Sequence, residues 1–111
     1  MKYEMNLHNA PFNLIKSGTK TIELRLNDEK RQKIKIGDII EFTNRTTNEK
    51  IMTKVKALHH YQSFSELYKH FDKIKLGYSE KEKANPSDME LYYSQEEQNK
   101  YGVLGIEMEL I

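Results

Sequence analysis

A chain of 111 residues carrying 18 Lys and Arg against 17 Asp and Glu has a formal charge of +1, so no global field draws it to nucleic acid and any anion site must be local. Cysteine is absent, which excludes disulfides, thiolate catalysis and zinc-thiolate clusters and accords with a cytoplasmic setting. No apolar run approaches the roughly 20 residues that span a bilayer, the N-terminus lacks the basic-then-apolar order of a signal peptide, and no composition shift marks a linker, so residues 1–111 read as one domain without a membrane partner.

In chain order, Tyr3, Met5 and Leu7 alternate with Lys2, Glu4 and Asn6, the two-residue period of a half-buried strand that should stop at Asn9. Pro11 suits the first turn of a helix, Phe12 and Ile15 give it a short apolar face, and Gly18 can end it. A strand follows in which Ile22, Leu24 and Leu26 share one face and Thr21, Glu23 and Arg25 the other. The polar stretch from Asn27 to Lys35 reads as a loop or one helical turn. Gly37-Asp38 then turns into the strand Ile39 to Asn44.

A hairpin tip at Thr46 to Glu49 returns through Ile51, Thr53, Val55 and Ala57, with Met52, Lys54, Lys56 and Leu58 opposite. Ser63 and Glu66 have capping-box spacing, and Phe64, Leu67, Tyr68 and Phe71 follow at helical intervals, predicting one helix that breaks near Gly77. Two further capping starts, Ser87 with Glu90 and Ser94 with Glu97, flank a segment interrupted by Pro86. Val103 to Ile111 is a strongly apolar closing strand, with Gly102 and Gly105 marking a bend or close approach. Together these elements predict an α+β fold in which the first and last strands share one curved sheet or small, partly open β-barrel with helices packed at its rim.

Lys20, Glu23 and Arg25 are the strongest candidates for chemistry. An amine beside a carboxylate supplies a general base, a nucleophile or a proton shuttle, and the forked donors of Arg25 hold a phosphate or carbonyl oxygen. The bland alternative is an ion pair on a solvated sheet surface. Lys20 has the parity of Ile22, so all three converge only if Lys20 precedes regular strand geometry. Arg31, in the run Asp28 to Lys35, can grip a phosphate or simply be solvated. Of the aromatic residues, which include Tyr61, Tyr78, Tyr92 and Tyr93, Tyr101 stands out for ligand contact because it adjoins Gly102 and the last strand. His8, His59, His60 and His70 lack metal-ligand spacing, so no metal site is expected. With no P-loop and no GxGxxG motif, no cofactor is expected either.

The stretch Gly18-Thr19-Lys20-Thr21-Ile22-Glu23-Leu24-Arg25, the Gly37-Asp38 turn and the closing Tyr101-Gly102-Val103-Leu104-Gly105-Ile106 resemble the activating-signal-cointegrator homology family, the ASCH domain. That resemblance implies a PUA-like, partly open barrel with a cleft beside the motif strand, and binding of RNA or a modified nucleoside. Lys20 and Arg25 would then contact phosphate or a base carbonyl, Glu23 would accept from a base amino group or orient the lysine, and Arg31 would assist at the rim. One branch of the family hydrolyses the amide of N4-acetylcytidine, so a small amidohydrolase with Lys20 and Glu23 catalytic is the alternative. In that branch a threonine stands where this chain has Glu23, and a glutamate follows the middle helix, where Lys73, Lys75 and Glu80 offer no clear counterpart.

Overall fold

The computed structural model describes residues 1–111. Its elements are β1 (Lys2–Leu7), α1 (Asn9–Lys16), β2 (Ile22–Leu26), β3 (Ile39–Asn44), β4 (Lys50–Tyr61), α2 (Phe64–Tyr68), α3 (Lys73–Leu76), α4 (Gln95–Tyr101) and β5 (Val103–Leu110), with 3-10 turns at Arg31–Lys33 and Pro86–Leu91. The strands form one curled sheet in the order β1-β3-β4-β5-β2, a partly open barrel with helices at its rim. β1 pairs parallel with β3, and every other pairing is antiparallel. β1 and β2 are therefore the two edges of the sheet.

The larger apolar cluster joins Met5 and Leu7, Phe12 and Ile15 of α1, and Ile40, Phe42, Val55, Leu104, Ile106 and Met108 of the central strands. A smaller cluster sets Ile22, Leu24 and Leu26 against Phe64 and Leu67 of α2 and Leu76 of α3. The apolar parity of β2 thus faces the helices. Glu23 lies opposite Ile106 and Arg25 opposite Leu104 in the β2–β5 register, which turns the charged parity toward the larger cluster. Gly105 has no side chain where α2 approaches: a Cβ there would stand 3.3 Å from both Ile22 and Leu67.

Three local expectations need correction. The strand returning from the hairpin slips register between Val55 and Ala57, with Lys56 unpaired. This bulge reverses the parity beyond it, so Leu58 joins Val55 on the larger cluster while Tyr61 packs on the smaller. The single helix expected from Ser63 to Gly77 is two. The Ser63 side chain does accept from the Glu66 amide, but α2 ends at Tyr68, and Asp72 caps a new start by accepting from the Ile74 amide. The break frees His70 to stack on Tyr61 at 4.9 Å and Phe71 to meet the edge of His59 at 4.8 Å. Ser87 starts no helix. Asn85, held extended before Pro86, accepts from the Ser87 amide and opens a 3-10 turn instead. The capping box of Ser94 and Glu97 is fully formed at α4.

Candidate functional site

Residues after α1 bring the motif lysine into place. The amides of Thr19 and Lys20 both donate to the Leu14 carbonyl, the Thr21 amide donates to Lys75 of α3, and the Thr21 carbonyl accepts from Met108 of β5. Regular pairing of β2 with β5 begins only at Ile22. Lys20 therefore lies outside strand geometry, and its side chain reaches the face of Glu23 and Arg25 despite the opposite parity. Its aliphatic stem runs over Gly77, the left-handed end of α3 (φ 108°), where a Cβ would stand 3.1 Å from Lys20 Cδ.

Glu23 is 3% exposed and sits between the two cations. Its Oε1 lies 3.0 Å from Lys20 Nζ, and its Oε2 accepts from Arg25 Nη2 at 2.7 Å and Nε at 3.0 Å. Burial alone pushes the carboxyl up, but the charges of Lys20 and Arg25 outweigh it and hold Glu23 below the usual carboxylate range. Burial lowers the Arg25 guanidinium, whereas Glu23, with a further contribution from Tyr93, raises it above its ordinary value. Glu23 and Arg25 are therefore both charged at neutral pH. Arg25 Nη2 also donates to the Asn6 carbonyl at 3.3 Å. Since Asn6 is on one sheet edge and Arg25 on the other, this side chain bridges the open seam of the barrel.

That seam holds a cleft of about 340 Å³. Lys20, Glu23 and Arg25 line it together with four tyrosines, Tyr68, Tyr78, Tyr92 and Tyr93. Tyr78 donates to Asp88 Oδ2 at 2.8 Å, and because its one proton is committed there, Tyr68 is the donor in the 2.9 Å bond between the two hydroxyls. Burial and this bond push the Tyr68 hydroxyl well up, and burial raises Tyr78 as well. Both rings enter the cleft uncharged. Buried Gln98 fixes the end of the same wall: it accepts from the Phe64 amide and donates to the Tyr93 carbonyl.

Arg31 and Tyr101 do not line the cleft. The Arg31 guanidinium pairs with Asp28 at 2.8 Å, and its amide donates to the other oxygen of the same carboxylate, so the pair braces a loop. Tyr101 packs against the smaller apolar cluster with the Lys100 ammonium 5.0 Å from its ring centroid. Sequence reasoning missed Asp88, Arg45 and Glu82 as cleft residues. For the tyrosine wall the only signal was a concentration of aromatic residues, Tyr78, Tyr92 and Tyr93, in a segment without apolar periodicity. No group of three or more His, Asp or Glu is placed to hold a metal ion, and no helix is long and apolar enough to cross a membrane.

The curled sheet and its charged seam define a PUA-like α+β domain with an ion-paired cleft. A family model of the ASCH domain matches residues 5–111, and the chain belongs to that family. Among solved structures, the crystal structure of the hypothetical protein PH0355 is 36% identical over the whole of both chains, with a TM-score of 0.84. The solution structure of PF0455 from Pyrococcus furiosus is also 36% identical, over all of this chain and 98% of that one, with a TM-score of 0.74. A variant of the ASCH protein of Zymomonas mobilis shares the fold at 15% identity and a TM-score of 0.68, with 97% of this chain and 69% of that chain covered. No curated protein matches the chain.

Proposed function

We propose that the cleft binds one nucleobase of an RNA or a modified nucleoside. The observation that carries this reading is the doubly paired Glu23 at the floor of a cleft walled by tyrosines. Glu23 uses one of the three Lys20 protons and two of the five Arg25 donors, leaving donors on both cations for a base carbonyl or phosphate oxygen. The rings of Tyr78 and Tyr93 supply apolar surface for the base. Association of the ASCH family with RNA supports the choice of ligand.

Lys20→Ala and Arg25→Ala should each weaken binding by about tenfold or more, the worth of a charge-assisted hydrogen bond. Titration calorimetry against a panel of short RNAs and nucleosides measures this. The reading is abandoned if neither substitution weakens any member of the panel.

One observation favours a second reading, hydrolysis of an N4-acylated cytidine. Glu82, beyond α3, lines the cleft with Lys20, although the sequence shows no clear counterpart of the hydrolase glutamate. Water would add to the acyl carbon, the C–N bond would break and the amine would leave protonated, with Lys20 and Glu23 moving protons and Arg25 holding the oxyanion. Against this, Glu23 is ionised and tied to both cations, and Glu82 accepts from the Ser79 amide at 2.9 Å. Incubation with N4-acetylcytidine decides the matter: turnover no faster than that of Lys20→Ala removes the hydrolase.

A further inference from the structure

The mouth of the cleft carries three side chains that its floor does not use. His8 precedes α1 without a side-chain capping bond, Tyr92 follows the 3-10 turn on the opposite wall and is 58% exposed, and Arg45 opens the turn between β3 and β4. All three line the cleft.

Across the mouth, the rings of His8 and Tyr92 have centroids 6.5 Å apart and planes inclined by 38°. That separation lies within the usual range for a direct, tilted aromatic contact, and both side chains are exposed, so the pair offers ring surface at the cleft on which a base can stack.

Arg45 lines the same cleft, with its own amide donating to the Leu7 carbonyl at 2.9 Å. It is exposed, and none of the molecule's ion pairs involves it. The nearby carboxylates have other partners, Asp88 in Tyr78 and Glu82 in the Ser79 amide. Exposed rings on a cleft that an ion-pair-free guanidinium also lines match the chemistry of a single nucleotide, a base joined to a phosphate.

Resting on the reading that the floor holds one nucleobase, we infer that the base of the adjoining nucleotide stacks on the exposed rings of His8 and Tyr92 and Arg45 holds the phosphate between the two. The protein then takes two consecutive nucleotides of a single strand in preference to a free nucleoside. The specificity of the floor and the affinity of the rim are separate contributions.

Calorimetry with the four ribonucleosides and the corresponding dinucleoside monophosphates tests this on the parent chain and on His8→Ala, Tyr92→Ala, Tyr92→Phe, Arg45→Ala and Lys20→Ala. Circular dichroism confirms that each is folded. The best dinucleoside monophosphate should bind the parent at least about tenfold more tightly than its nucleoside. That ratio should fall about fivefold or more in His8→Ala, Tyr92→Ala and Arg45→Ala, and persist in Tyr92→Phe, which keeps the ring. A parent ratio near one, or a ratio unmoved by these three alanines while Lys20→Ala still weakens every probe, overturns the rim site and leaves the floor reading standing. Should no probe show affinity that depends on Lys20, the floor reading falls and the rim site with it.

Discussion

Glu23 keeps its charge where burial alone would neutralise it, because Lys20 and Arg25 both touch its oxygens. Its folded-state pKa is lowered, so the stability it contributes is fully present above the unfolded value of about 4.3 and is lost as pH falls through the lower folded value. Glu23→Gln leaves buried Lys20 and partly buried Arg25 without their carboxylate and should cost about 3 kcal/mol at pH 7. Urea unfolding of the two proteins from pH 7 downward should show that gap holding until about pH 4.3 and shrinking below it; a constant gap would contradict the assignment. Glu23 and Arg25 were legible in the sequence as one face because they alternate with Ile22, Leu24 and Leu26, whereas Lys20 shares the parity of Ile22 and joins them only because it precedes the strand. The burial of the trio was not legible, since alternation says which side chains share a face and nothing of what covers that face. Arg31 illustrates the converse. Asp28, three residues earlier, takes its guanidinium, so a local partner turned an apparent ligand into a brace.

At the scale of elements, α3 is only four residues long, yet it sets the position of the motif lysine. Two features of Gly77 matter: its φ of 108° ends the helix, and its bare Cα admits the Lys20 stem. Gly77→Ala should lose about 1–2 kcal/mol from left-handed strain and also displace Lys20. Gly37, at φ 93° with nothing within 4 Å of a Cβ, carries the strain alone. Gly37→Ala should therefore lower the melting temperature to a similar degree while only Gly77→Ala weakens RNA binding; equal binding by both would separate Gly77 from the site. The caps at Ser63 and Ser94 were readable because their chemistry is local, a side chain meeting an amide three residues on. The bulge at Lys56 and the break after Tyr68 were not. Each is fixed by a partner distant in sequence, β5 in one case and the rings of His59 and Tyr61 in the other.

For the whole molecule, the decisive feature is that the two edge strands, β1 and β2, approach across an open seam joined by the Arg25 side chain. A barrel closed by backbone pairing would have no cleft there. The strands themselves follow from two-residue periodicity, but the seam depends on edge order, which no single strand encodes. Positive charge is likewise local: the chain's net charge is +1, and the cations of the cleft are Lys20, Arg25 and Arg45. Glu23, Asp88 and Glu82 line the cleft too, so its cations can contact about two phosphates at most, one at Arg45 and one at the spare donors of Lys20 and Arg25, and a single strand contributes a slope of about −0.7 per phosphate in a plot of log affinity against log salt. Binding of a short single-stranded RNA should therefore show a slope near −1.4 by this count. A slope of about −4 or steeper would require roughly six phosphate contacts. The three cations of the cleft could not make so many contacts, and the interface would then lie outside the seam, with the basic run of Lys30, Arg31, Lys33 and Lys35 as the loop to test. Arg45→Ala should reduce the slope by about 0.7 if the seam is the interface, and leave it unchanged if the loop is.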